Sequence, residues 1–391
     1  MPHITVLPFD TTKLSTAKLK NSHFLFHGKD VTSDNEIVGV EVNNEQFLLH
    51  IKKTPLHWII KFDKITRPLD VNLVKLALQD MRESLSLDII HENINMHPTR
   101  IAISDEFQKS IDDFYDLSFD FESVSVEVGF GSGRHILYQA TLHPNRLYIG
   151  VEIHTPSATQ LLKQIKIQNL KNIWVVNFDA RLLLEMLPSN LLSEVFVHFP
   201  VPWDKKPHRR VISSIFLSET MRVLKAGGVL NLRTDSYNYF WYSLDVFLNT
   251  PLKTSVLIDK NRSLEVTSKY EARWLRQEKD IYDVSVTSLE DSPQKEDKID
   301  FLFKNSLKSF EKLLNVKKEA VIYGDFFVHY DKIYKVFENF YLLKVVFGSF
   351  DKPESKYIIF NENESRYFGT LPVKSSSNYK AHLKIREDFD V

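Results

Sequence analysis

Between Val124 and Arg233, five apolar runs of strand length alternate with segments whose apolar residues recur at helical spacing. The runs are Val124 to Val128, Arg146 to Val151, Asn172 to Phe178, Glu194 to Phe199 and Val229 to Arg233. Runs of this kind joined by helical segments are expected in a sheet covered on both faces. Strands joined by helices in this way have few solutions: right-handed βαβ units around a mainly parallel sheet, an α/β fold.

At roughly 150 residues per domain, 391 residues call for more than one unit. Residues 1–95 hold short apolar runs at Ile37 to Val42, Gln46 to Ile51 and His57 to Phe62, separated by the polar turns Ser33-Asp34-Asn35 and Asn43-Asn44. These predict a β-meander, with a helix over Leu69 to Leu85 covering one face. Residues 96–287 carry the alternating pattern, introduced by a helix over Asp105 to Tyr115. Residues 288–297 (SLEDSPQKED) have linker composition. In 298–391, an expected helix from Ile299 to Leu314 puts Phe301, Leu302, Leu307, Phe310 and Leu314 on one side, and Ala320 to Gly369 is dense in Phe, Tyr and Val. The expectation is an α/β core flanked by two smaller β-rich regions.

Composition narrows the chemistry. There is no cysteine, which excludes disulfides, Cys-ligated zinc, iron–sulfur clusters and a cysteine nucleophile. No run of about 18 apolar residues could span a bilayer. Met1 to Phe9 lacks the basic start and apolar stretch of an export signal, so the expected location is the cytoplasm. Basic and acidic residues balance in each part: 11 against 12 over 1–95, 22 against 22 over 96–286 and 17 against 17 over 287–391. A polyanionic partner would have to be met by a local patch, since no part is basic as a whole.

Glycine is scarce, 11 in 391 residues, under half the usual ~7%. Three of the 11 are Gly129, Gly131 and Gly133, directly after the first run of the alternating part. Glycines at a strand-to-helix turn let the backbone bend sharply and let a ligand approach its N–H groups, which suits a nucleotide-type cofactor; a turn that binds nothing is the competing reading. The dinucleotide fingerprint fails, because its last glycine position is Arg134. The next strand ends at Glu152, placed to hold ribose hydroxyls. The third ends at Asp179, which could accept from an adenine amine or simply cap the following helix. Glu127 sits inside the first strand, where an unpaired carboxylate would be costly; a cofactor ammonium group would compensate it.

The segment Glu194 to Arg210, EVFVHFPVPWDKKPHRR, follows a strand with two prolines, Trp203, and five basic or potentially basic residues: Lys205, Lys206, His208, Arg209 and Arg210. An aromatic ring beside a cationic run suits a stacked base and a phosphate backbone; the bland reading is a solvated turn. Asp235 closes the next strand, and Ser268, Lys269 and Glu271 belong to a later polar cluster, SKYEARW. His23 and His27 have i, i+4 spacing but no glutamate between them and no cysteine elsewhere, so no metal is expected. His198, on the fourth strand, reads as a satisfied core side chain.

In order along about Met96 to Val286, the pieces VEVGFGSG, GVEIHTP, FDA, FPVPWDKKPHRR, AGGVLNLRTD and SKYEARW resemble the bacterial tRNA (guanine-N7-)-methyltransferase family. The resemblance implies a Rossmann-like fold, S-adenosylmethionine as methyl donor, and N7 of a guanosine in tRNA as acceptor, in the variable loop. It also implies that Glu127, Gly129, Gly131, Gly133, Glu152 and Asp179 hold the donor. Trp203, Lys205, Lys206, Arg209, Arg210, Asp235 and the Ser268–Glu271 cluster would meet tRNA. The sequence departs from the family motif Pro-Asp-Pro-Trp-His-Lys: Val201 stands where the family has aspartate, and Asp204 where it has histidine. With that aspartate missing, Asp204 and Asp235 become the candidate catalytic acids. Two other readings remain at this stage, a methyltransferase of another RNA or a small molecule and a tRNA-binding protein with weakened catalysis.

Overall fold

The computed structural model describes residues 2–15, 20–68, 70–95, 105–114, 121–266, 279–294, 299–350 and 352–391. It divides into two compact units, one of Met1–Arg100, Ile299–Pro372 and Ser376–Val391, the other of Ile101–Lys298 with Val373–Ser375.

The first unit contains β1 (His3–Val6), β2 (His23–Asp30), β3 (Glu36–Val42), β4 (Glu45–Lys53), β5 (Trp58–Phe62), helix α1 (Val71–Ser84) and β6 (Ile89–Glu92). The expected meander is β3 to β5, and α1 covers it with Leu73, Val74, Ala77, Leu78 and Met81 buried. Asp70 caps α1 by accepting from Asn72 N–H.

The second unit contains β7 (Gln108–Lys109), β8 (Ser123–Val128), α2 (Arg134–Leu142), β9 (Arg146–Val151), α3 (Thr155–Gln168), β10 (Ile173–Val176), α4 (Ala180–Met186), β11 (Leu192–His198), α5 (Ser214–Val223), β12 (Leu224–Thr234), α6 (Tyr237–Leu248), β13 (Thr254–Lys260) and β14 (Tyr282–Ser288). Its sheet runs β13-β14-β12-β11-β8-β9-β10-β7, parallel from β12 to β7, with β14 antiparallel to both β12 and β13. Val176, Val151, Val128 and Val197 stand side by side on four neighbouring strands. The residues that follow them therefore share one edge of the sheet. Chain order reverses between β8 and β11, which makes that edge the switch-point crevice where such sheets take ligands.

After the second unit the first resumes with β15 (Val321–Tyr323), β16 (Phe326–Phe337), β17 (Phe340–Gly348), β18 (Glu354–Phe360) and β19 (Ser365–Phe368). The two terminal regions are not separate. β2 pairs with β16 through Asp30↔Tyr334 and Lys29↔Lys335, which joins them into one antiparallel sheet ordered β19-β18-β17-β16-β2-β3-β4-β5-β1-β6. Fully buried Asp30 locks the seam, accepting from Lys332 Nζ at 2.7 Å.

Three local expectations need correction. Asp105 to Tyr115 is not a helix: the described part forms two 3-10 turns, Asp105–Phe107 and Asp112–Phe114, because Gln108 and Lys109 are drawn into pairing with β10 as the last strand of the sheet. From Ile299 to Leu314 only Phe310–Leu314 is helical. Phe301 is buried edge-on against His382 and Tyr367 and Leu302 lies outside, so irregular chain meets the core there. An unexpected C-terminal helix, Ser376–Phe389, buries Ala381, Ile385 and Phe389 at four-residue spacing. The polar stretch read as a linker is tied down in its first half, with Asn190 exchanging hydrogen bonds with Ser292 and Ala226 N–H donating to Asp291.

Candidate active site

The turn after β8 is made of left-handed backbone. Gly129, Gly131 and Gly133 have φ of 69°, 52° and 72°, values that cost an L-residue roughly 1–2 kcal/mol. A Cβ on Gly129 would have nothing within 4 Å, and one on Gly131 would meet only the Gly129 carbonyl at 3.9 Å. Both positions open onto free space at the strand edge. Gly133 differs: its Cβ would lie 2.8 Å from Leu161 Cδ1, so here glycine permits α2 to pack on α3.

One strand-end carboxylate shapes this turn, and the other caps a helix. Glu152, one residue past β9, accepts from Gly131 N–H at 3.1 Å and from His154 N–H at 2.9 Å. Gly129 N–H donates to Val151 O at 2.7 Å. One loop N–H and one acid are thus committed to each other, and the turn is held against β9 before any ligand arrives. Asp179 caps α4, accepting from Arg181 N–H at 2.9 Å, and its carboxylate is ion-paired with the Arg181 guanidinium at 2.7 Å.

Glu127 is buried, 3% exposed, yet not unpaired. Its Oε2 lies 2.9 Å from His135 Nδ1, on the first turn of α2. The His135 ring meets that of His198 edge-on at 4.5 Å. Burial, with His135 and Arg233 close by, pushes the His198 pKa well below its usual value and keeps that ring neutral. The three side chains present ligand atoms within 4.8 Å of one another, close enough to hold a cation. A direct hydrogen bond already joins two of them.

The segment after β11 carries two non-glycine residues in left-handed backbone, Phe199 (φ 50°) and Trp203 (φ 45°). Strain of this kind persists only where surroundings over-determine it. Phe199 N–H donates to Arg233 O at 2.7 Å, and Arg233 is itself pinned by both Asp283 oxygens at 2.6 Å. Arg210 supplies the second anchor. It is 8% exposed, donates from Nε to Pro202 O at 2.7 Å, and lies over the Tyr242 ring at 4.3 Å. This departs from the expectation that Arg210 faces a phosphate: its guanidinium is turned inward as a strut. The loop's outer surface keeps Trp203, Lys205, Lys206 and Arg209 exposed, with Arg209 over the Trp203 ring at 5.2 Å.

Val201 is exposed, and Asp204 lies 3.4 Å from Arg210 with its side chain 55% exposed. Asp235 is more enclosed, 18% exposed, and paired with Lys279 at 3.1 Å. Ser268, Lys269 and Glu271 lie outside the described residues. His135 and the inward role of Arg210 were not anticipated. The signal for His135 is local, a histidine eight positions after a buried glutamate across a glycine turn; none of the five basic positions is marked in sequence as the one that turns inward.

Residues 122–284 match a family model described as "Putative methyltransferase". A tRNA (guanine-N(7)-)-methyltransferase of Campylobacter jejuni is 40% identical over 363 residues, 91% of each chain. Enzymes of the same name from Wolinella succinogenes and Helicobacter hepaticus are 39% and 34% identical, the latter over 97% of this chain and 96% of its own. The chain belongs to the tRNA (guanine-N(7)-)-methyltransferase family. In these relatives the likeness runs through both terminal regions as well as the part with the motifs. Among solved structures, an antibiotic-related methyltransferase aligns with 42% of this chain and 87% of its own at 20% identity and a TM-score of 0.35.

Proposed function

We propose that this protein transfers the methyl group of S-adenosylmethionine to N7 of a guanosine in tRNA, in the variable loop, and that it works in the cytoplasm. The carrying observation is the near full-length relationship to enzymes of that name, joined to a switch-point crevice with a glycine turn and strand-end acids. Among the described residues, no helix is long and apolar enough to cross a membrane.

The residues fit the donor. Gly129 and Gly131 open onto space a Cβ would enter, and Glu152 and Asp179 stand at the ends of the next two strands. We assign the nucleoside side of the donor to Gly129, Gly131, Gly133, Glu152 and Asp179, and its amino-acid side to Glu127. When bound, S-adenosylmethionine supplies an electrophilic methyl group on a sulfonium.

Guanine N7 carries an in-plane lone pair and no proton, so the chain need not provide a general base. Its work is alignment, which can contribute up to roughly 7–11 kcal/mol, and stabilisation of the positive charge that grows on the purine. Asp235, the less exposed of the two candidate acids, is better placed for strong electrostatics than Asp204. Val201 in place of an aspartate should therefore cost rate and not abolish transfer. Trp203 offers a stacking face, and Lys205, Lys206 and Arg209 neutralise phosphate. Trp203→Ala and Lys205→Ala should lower methylation of tRNA while leaving donor affinity nearly intact; a large loss of donor binding in either would sink this assignment.

A further inference from the structure

The first unit carries a second concentration of positive charge. One face of its sheet forms an open groove of about 820 Å³, spanning strands from both ends of the chain. Across the register, Lys61 on β5 stands opposite His50 on β4 and His3 on β1. Lys52 is two residues from His50 on the same face, and Lys64 lies just past β5. On the other side, Lys332 and Lys344 are direct cross-strand partners.

Charge is not balanced evenly here. Lys332 is paired with Asp30 at 2.7 Å and Lys344 with Asp331 at 2.6 Å. His50 is tied to Asp63, whose carboxylate also accepts from Tyr357 and from the Ile65 and Thr66 N–H groups. Lys52, Lys61 and Lys64 have no carboxylate within ion-pair distance among the described residues. Partial burial, with Lys52 and Lys64 beside it, lowers the Lys61 pKa. Asp63 also lines the groove, but its carboxylate is already held by His50 and Tyr357; like charges gathered beyond what one acid balances are unfavourable in the isolated fold, and an incoming anion relieves them. Because residues 1–95 as a whole hold 11 basic against 12 acidic groups, this is a sorting of charge onto one face and not a general excess. The groove is open, with Phe62 and Tyr334 among its walls. It exceeds what a single phosphate needs and suits a chain of phosphates.

We propose that this groove is a second RNA-binding surface, on which Lys52, Lys61 and Lys64 hold the phosphodiester backbone of tRNA. The proposal rests on tRNA being the substrate. Its test uses the full-length triple variant Lys52→Gln/Lys61→Gln/Lys64→Gln, with Lys335→Gln as control, since Lys335 follows the groove residue Tyr334 in β16 and so lies on the opposite face. Dissociation constants for unmodified tRNA are measured from 50 to 200 mM salt, alongside donor affinity, thermal midpoint and methylation at saturating tRNA. Loss of three phosphate contacts should lower the steepness of log Kd against log salt by about 2–3 and raise Kd at 50 mM roughly tenfold or more. Donor affinity, thermal midpoint and saturated turnover should match wild type, and Lys335→Gln should change nothing. Unchanged Kd and salt slope would overturn the proposal while leaving the methyltransferase reading intact. So would a rise in the Lys61 ammonium pKa on adding inorganic phosphate with no effect of the triple variant on tRNA binding, which would mark a small-anion site. Wild-type protein that binds tRNA but never methylates it would instead overturn the reading of the activity.

Discussion

Replacing each glycine of the turn after β8 with alanine separates its two tasks. At Gly133 the new side chain carries the left-handed cost of roughly 1–2 kcal/mol. It also places Cβ 2.8 Å from Leu161 Cδ1. Leu161 is fully buried in one cluster with Ile136, Leu162 and Ile165, so displacing its Cδ1 disturbs a packed core and overpacking adds roughly 1–3 kcal/mol. Gly133→Ala should therefore destabilise the second unit by about 2–5 kcal/mol. Gly129→Ala and Gly131→Ala carry only the backbone term, since their methyl groups meet no side chain. Donor affinity should follow the reverse order: the methyl at 129 or 131 fills the open side of the turn and should weaken binding tenfold or more, about 1.4 kcal/mol. Urea denaturation reads the first series and calorimetric titration with S-adenosylmethionine the second. Leu161→Ala is costly alone, but in the double variant with Gly133→Ala the clash disappears, giving a favourable coupling of about 1–3 kcal/mol. Equal stability of the three alanine variants, or strict additivity of Gly133→Ala with Leu161→Ala, would refute the division of labour.

Two further outcomes follow from buried groups. Arg210→Lys removes the bond to Pro202 O and the stacking on Tyr242; it should cost about 1.5–3 kcal/mol and reduce tRNA methylation with donor affinity retained, and a variant as active as wild type would remove Arg210 from the account. Burial pushes His382 down to about 4 despite its hydrogen bond to Leu302 O. The unfolded chain therefore binds more protons between pH 6.5 and 4, and stability falls as pH drops through that window, by up to about 3 kcal/mol at pH 4. In His382→Gln that part of the acid sensitivity should vanish, seen as a stability difference from wild type that shrinks below pH 6.5.

The α/β unit was legible because its information is local. Each strand of β8 to β12 contains a short, largely apolar and buried run, and the turns between strands and helices carry their own glycines and caps, such as Asp179 before α4. The joining of the two terminal regions was not legible. Asp30 and Lys332 meet across 302 positions, and no periodicity within either region encodes such a partner. The failed helix at Ile299 to Leu314 has a related cause, since apolar spacing there is satisfied by aromatic packing on the C-terminal helix. At the site, the residue types were readable and their orientations were not. Glu127 needed a partner, and the glycine turn brings His135 back onto it.

Mass mapping of modified nucleosides is the most direct test of the central claim. Unmodified tRNA is incubated with the purified protein and S-adenosylmethionine, digested, and its methylated positions located. The account predicts one N7-methylguanosine per tRNA, in the variable loop, and no methylation when that guanosine is replaced by adenosine. A methyl group on a different atom or base, or methylation that persists after the replacement, would contradict it.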